Sequence, residues 1–112
     1  MKDETINKIL TALIRLLAEN KEQIIAANKL DLANCPKDDL VIYDRLKVDD
    51  VKVEKMIDSV KKVLHQKSPI GELLYWNTRE DGLRIENRSV PFGTILIIYE
   101  ARPDVSIEAA II

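Results

Sequence analysis

The sequence predicts an α/β protein in which a helical layer and a β-hairpin precede the first strand and helix of a doubly wound sheet. Three observations predict it. Apolar residues recur at helical spacing early in the chain, the period then shortens to two on either side of Asp81-Gly82, and the run Val90 to Val105 (VPFGTILIIYEARPDV) orders a turn, a strand, a charged loop and a helix start. In that run Thr94 to Tyr99 is almost uninterrupted apolar and β-branched, which suits a strand covered on both faces. Glu100 and Arg102 follow its carboxyl end, before Pro103 at the first helical position and Asp104 in the first turn. Ligands of doubly wound sheets bind at that edge.

Each element has its own signal. Ile6, Ile9, Leu10, Leu13, Leu16 and Leu17 share one helical face, with Lys8, Thr11 and Arg15 mostly opposite, so a first helix is expected over about residues 3–18. Asn20 followed by Gln23 resembles a capping box, and Ile24, Ile25, Ala27 and Leu30 continue a second helix over 21–34, which Pro36 terminates. Asp38 to Leu46 reads as a short helical turn with Leu40, Ile42 and Leu46 inward. Asp49 or Asp50 caps a third clear helix, about 50–66, whose inner face is Val53, Met56, Ile57, Val60 and Leu64; Asp58 and Lys62 are expected to pair on its outer face. A half-exposed hairpin follows over about 74–90, turning at Asp81-Gly82, with Arg84, Glu86 and Arg88 outward. The strand at 94–99 and the helix start at 103–112 complete the order.

Composition narrows the function classes. At 112 residues one domain is the upper limit, and 46% hydrophobic with 32% charged residues is an ordinary globular balance. Seventeen basic against nineteen acidic residues give a net charge of −2, so no whole-chain field attracts nucleic acid or an anionic membrane. No segment reaches the roughly 18 apolar residues of a membrane span, and no signal-peptide layout opens the chain, from which a cytoplasmic address is expected. The apolar helix around Val105 to Ile112 ends without Gly, Asn or a basic residue, and no second doubly apolar strand pairs with Thr94–Tyr99. Both features lead us to expect an amino-terminal piece of a longer protein.

Few side chains offer chemistry. Cys35, the only thiol, lies between Asn34 and Pro36 with no basic neighbour poised to activate it, and reads as an inert helix-end residue. His65, the only histidine, reads as a helix-end cap. One Cys and one His exclude a zinc pattern, and Gly71, Gly82 and Gly93 are too isolated to form a phosphate-cradling loop. Asp38-Asp39 and Asp49-Asp50 read as caps and solvated faces. Tyr75 and Trp76 lack the basic stripe of a base-stacking platform and read as hairpin or interface packing. Glu100, Arg102 and Asp104 remain: as a surface ion pair at a helix start, or as a ligand edge where Arg102 meets an anionic group with its planar fork.

Three segments carry a resemblance. They are Ile24-Ile25-Ala26-Ala27-Asn28-Lys29-Leu30-Asp31; then Tyr43-Asp44-Arg45-Leu46 with Pro69-Ile70-Gly71-Glu72; then Asp81-Gly82-Leu83-Arg84-Ile85 leading through Val90-Pro91-Phe92-Gly93 to Ile98-Tyr99-Glu100-Ala101-Arg102-Pro103-Asp104-Val105. The chain resembles the amino-terminal part of the gamma-glutamyl phosphate reductases (glutamate-5-semialdehyde dehydrogenases) of the aldehyde dehydrogenase superfamily, over nearly its whole length. The last segment is specific to the reductases, because general aldehyde dehydrogenases carry a Pro-Trp-Asn-aromatic-Pro loop there.

That resemblance implies an NADPH-dependent reduction of gamma-glutamyl phosphate to glutamate semialdehyde, towards proline, in a homo-oligomer. A cysteine thiolate displaces phosphate to give a thioester, and hydride from the nicotinamide releases the aldehyde. It implies that residues 1–112 form the amino-terminal part of the NADP-binding domain, with Ile98, Tyr99 and Glu100 at the dinucleotide and Arg102 on the substrate side. The family's nucleophilic cysteine and oligomerisation strand match nothing up to Ile112, and Cys35 matches neither, so this chain alone is expected to be inactive with no catalytic residue of its own. Ala101 and Asp104 stand where Ser and Asn are common in relatives. Two alternatives remain at this point: a small helical interaction module with a dimerisation hairpin, or another acyl-reducing member of the superfamily.

Overall fold

The computed structural model describes residues 3–112. Five helices and one two-stranded hairpin follow in the order α1 (Asp3–Glu19), α2 (Lys21–Asn34), α3 (Leu40–Leu46), α4 (Asp50–Leu64), β1 (Leu73–Thr78), β2 (Arg84–Arg88) and α5 (Pro103–Ile111). They divide into a helical unit, which takes the chain up to Gln66 and resumes at Ile97–Ile112, and a hairpin unit, Lys67–Leu96.

The helical unit is organised on α4. Asp49 caps it by accepting a hydrogen bond from the Lys52 amide at 2.9 Å, and Val53, Met56, Ile57 and Val60 form its buried stripe at helical spacing. Leu10 and Leu17 of α1, two turns apart, meet that stripe together with Val48, while Ile107 and Ile111 of α5 pack against the cluster one turn apart. The expected face of α1 is only partly correct, since Ile9 and Leu16 are about half exposed and Ile14 takes part in the packing. A helix with one principal neighbour buries a narrow seam, and Ile9 and Leu16 flank that seam.

Asn28 is the one buried polar residue among those described. Its side chain donates to the Leu46 carbonyl at 2.8 Å and accepts from the Val48 amide at 2.7 Å, tying α2 to the backbone between α3 and α4. Burial of an amide group requires such pairing. Lys52 adds a second tie, donating from Nζ to the carbonyls of Arg45 (3.2 Å) and Lys47 (3.1 Å) at the end of α3.

Three local expectations are corrected. Asn20 makes no capping box; it is the single residue between α1 and α2, and its amide turns back to donate to the Leu16 carbonyl of α1 at 2.8 Å. In α3 Ile42 and Leu46 are half-buried, but Leu40 is exposed, because it stands at the first helical position immediately after the capping Asp39. On α4 Asp58 pairs with Lys61 at 3.5 Å rather than with Lys62.

The hairpin unit forms where the sequence places it. Arg79 donates to the Leu83 carbonyl and Gly82 to the Arg79 carbonyl, both at 2.9 Å, so the loop is Glu80-Asp81-Gly82 with Gly82 in the left-handed region at φ 86°. Its faces differ from expectation. Trp76 is paired with Glu86 and Thr78 with Arg84, while Ile85 lies opposite Asn77, so each face mixes apolar with polar side chains. Arg84 covers the Trp76 ring at 4.9 Å from its centroid, and Tyr75 points to the other face. At the base, Ser89 and Glu72 exchange backbone and side-chain hydrogen bonds, and the Ser89 hydroxyl donates to the Pro69 carbonyl.

The largest correction concerns Thr94–Tyr99. This run is not a strand and not buried: it pairs with no ladder among the described residues, and Leu96 and Ile98 are 83% and 85% exposed. Strand structure needs a neighbour to exchange amide and carbonyl bonds, and composition alone does not supply one.

Candidate functional site

The candidate edge lies entirely within the helical unit, from Ile98 to the first turn of α5. Pro103 starts α5 because its fixed φ suits a first helical position and its missing amide proton costs nothing there. Arg102 precedes it as the capping residue, at φ −136° and ψ 82°, with its carbonyl accepting from the Val105 amide at 3.1 Å and its side chain making no cap bond. Ala101 is the one non-glycine residue described with positive φ, at 51°. The left-handed region places its Cβ against the following carbonyl, a cost of about 1–2 kcal/mol.

Tyr99 closes the loop from the other side. Its hydroxyl lies 2.6 Å from the Ser106 hydroxyl on α5, a hydrogen bond between two groups that can each donate or accept. Asp104, in the first turn, faces Lys52 of α4 at 3.7 Å; both side chains are about three-quarters covered, and Asp104 Oδ1 has no hydrogen-bond partner. Residues of α4 and α5 line a groove of about 750 Å³ that includes Asp104 but none of Ile98–Arg102, and its polar lining mixes lysines with carboxylates, Lys52, Lys55 and Lys62 with Asp58, Asp104 and Glu108. Mixed sign of this kind selects neither an anion nor a cation.

All four sequence-predicted site residues therefore sit together on one short connection. Ile98, Tyr99, Glu100 and Arg102 are all solvent-exposed. Glu100 and Arg102 do not form an ion pair with each other. Ser106 and Lys52 were not singled out from sequence. A hydroxyl within the apolar Val105 to Ile112 helix was the available signal for Ser106, whereas Lys52 gave none, since its partners come from two separate segments, the end of α3 and the first turn of α5.

The other candidates stand at helix ends. Cys35 is half-buried at the end of α2, its amide donating to the Leu32 carbonyl. His65 caps α4, with Nδ1 2.6 Å from the Lys61 carbonyl; a carbonyl only accepts, so Nδ1 carries the proton. Two ionisable groups are displaced from their ordinary range. The Glu54 carboxylate, hydrogen-bonded at 2.9 Å, and then Asp50 hold Lys21 above 10.5, and the Arg88 guanidinium, with Arg84 beside it, holds Glu86 below 4.5. Neither lies at the loop, and no helix described is long and apolar enough to cross a membrane.

This helical layer with its hairpin and Pro-initiated α5 defines a class, because it superposes on part of a solved reductase. The crystal structure of gamma-glutamyl phosphate reductase from Thermotoga maritima matches 99% of this chain with a TM-score of 0.84 at 34% sequence identity, using 27% of its own chain. The curated proteins give the particular family: over nearly all its length the chain is similar to gamma-glutamyl phosphate reductases. It is 43% identical over 109 residues to the protein of Sulfurihydrogenibium sp., covering 96% of this chain and 24% of that protein. With the reductase of Azobacteroides pseudotrichonymphae it shares 42% identity over 108 residues, 96% of this chain and 26% of the relative, and with that of Rhodopirellula baltica 39% over 112 residues, 98% and 25%. The chain thus spans about a quarter of the length of the curated relatives it matches. No family model matches it.

Proposed function

We propose that this chain is the amino-terminal portion of an NADPH-dependent reductase that converts L-glutamate 5-phosphate to L-glutamate 5-semialdehyde in the cytoplasm, that it contributes part of the NADP-binding domain, and that by itself it has no turnover. The observation that carries the reading is the joint match of fold and sequence, a TM-score of 0.84 at 34% identity across the chain.

The residues present fit a dinucleotide edge. Thr94–Tyr99 has no ladder partner among the described residues, which leaves its amides and carbonyls open to a ligand, and the exposed Ile98 side chain suits a flat uncharged ring. Glu100 carries acceptors only, so it would meet hydroxyl donors of a ribose rather than phosphate oxygens. Arg102 is exposed and free of a cap bond, and its guanidinium would orient an anionic substrate group bidentately. When bound, the nicotinamide supplies the hydride. Cys35, fixed at a helix end, takes no part, and the homo-oligomer implied by the resemblance would form through segments other than these.

Two measurements on the purified chain test the proposal. Mixed with NADPH and the acyl phosphate, it is expected to leave nicotinamide absorbance unchanged; oxidation of NADPH would overturn the claim of inactivity. Titration with NADPH, followed by amide resonances, is expected to shift residues 98–100. Shifts elsewhere only, or none, would remove the ligand edge.

A further inference from the structure

We infer that Ser106 is a positioning residue that fixes the Ile98–Arg102 edge by holding the Tyr99 hydroxyl. The inference deepens the preceding proposal and rests on its assignment of that edge to the ligand.

The connection from Tyr99 to Ser106 needs such a device. A non-glycine residue persists at positive φ only where its surroundings over-determine it, and Ala101 sits at 51° in the middle of this connection. Its neighbours offer little restraint. Glu100 and Arg102 are exposed, Arg102 makes no side-chain cap, and Pro103 has no amide to donate. Two hydrogen bonds bridge the loop, the one-turn bond from the Val105 amide to the Arg102 carbonyl and the 2.6 Å bond between Tyr99 and Ser106. The first closes only the start of α5. The second alone encloses Glu100, Ala101 and Arg102, and it joins Tyr99, within the edge, to a helix anchored on the core through Ile107. Removing it frees the backbone on both sides of Ala101 to relax to negative φ, which redirects the Glu100 and Arg102 side chains together. Both hydroxyls are exposed, so the core is unaffected by their loss.

The test uses the whole 112-residue chain and its variants Ser106→Ala, Tyr99→Phe, the double variant and Ser106→Thr. The readouts are the amide-to-Hα coupling of Ala101, which reports φ, the amide resonances of residues 100–102, hydrogen exchange at Val105, and the NADPH response at residues 98–100. S106A and Y99F are each expected to alter the Ala101 coupling in the same direction and to speed Val105 exchange by about two- to tenfold, the range for loss of one modest hydrogen bond. The double variant should go no further than either single one, as for two ends of one interaction. S106T keeps a hydroxyl and should restore the coupling and the NADPH response that S106A weakens. An S106A chain whose changes stay within α5, with Ala101 coupling unaltered, overturns the inference. A parent chain without any NADPH response sinks the ligand edge instead, and the Ala101 coupling then decides the role of Ser106 alone.

Discussion

The helical unit and the hairpin unit both carry large apolar side chains, yet only the first has a core. Along α4, Val53 and Val60 are completely buried and Met56 and Ile57 nearly so, while no residue from Lys67 to Leu96 is buried. The difference lies in arrangement rather than content. A period near 3.6 gathers the α4 residues on one stripe, and stripes on α1 and α5 meet it. In the hairpin the cross-strand partners of Trp76 and Ile85 are Glu86 and Asn77, so neither face is apolar enough to bury. Backbone ladder bonds hold this unit instead, with Glu86 bridging Arg84 at 2.8 Å and Arg88 at 2.7 Å. Apolar residues stabilise a unit only when another apolar surface faces them.

The largest test of this contrast is Ile57→Ala. Truncation of a buried isoleucine should lower stability by about 2–5 kcal/mol in chemical denaturation, and a loss below about 1 kcal/mol would show that α4 is not the organising helix. Asn28→Ala should cost about 1–3 kcal/mol in the same measurement, because it leaves the Val48 amide and the Leu46 carbonyl unpaired. Ala101→Gly should act in the opposite direction, raising stability by about 0.5–1 kcal/mol, since relief at φ 51° outweighs the entropy of glycine. In the hairpin, Arg84→Ala removes an exposed cation over Trp76 and should change stability by about 0.5 kcal/mol, visible mainly in tryptophan emission. An effect as large as that of Ile57→Ala would erase the distinction between the units.

The smallest effects come from pH. Glu86 has its folded pKa lowered, so its contribution is present above the ordinary value of 4.5 and fades as pH falls through the lower folded value. Lys21 has its folded pKa raised, so its contribution is complete below 10.5 and fades as pH rises through the higher folded value. Glu86 is exposed and the half-buried Lys21 has exposed partners in Asp50 and Glu54, so 0.5 M salt should flatten both limbs of a stability-against-pH curve, at about three to four times physiological ionic strength. Persistence of either limb at that salt would place the pair in a drier setting than the protein surface.

Local signals were readable because they involve neighbours in sequence. Asp49 caps α4, Pro103 opens α5, His65 closes α4 and Asp81-Gly82 marks the hairpin loop, each within four residues of its partner. Asn20 misled because the same residue serves two helices and its side chain satisfied the one behind it. The hairpin faces misled because alternation in one strand does not reveal which residue lies across in the other.

From sequence alone came the helix and hairpin positions, the helix-end places of Cys35 and His65, the clustering of Ile98, Tyr99, Glu100 and Arg102 on one connection, and the kinship with gamma-glutamyl phosphate reductases. Tertiary structure decided which stripe of α1 is buried, the roles of Asn28 and Lys52, the Tyr99–Ser106 bond and the exposure of Thr94–Tyr99. The division has one physical cause. Propensity, capping and periodicity act over a turn or two of chain, whereas burial and ladder pairing depend on partners far away in sequence, and only folding selects them.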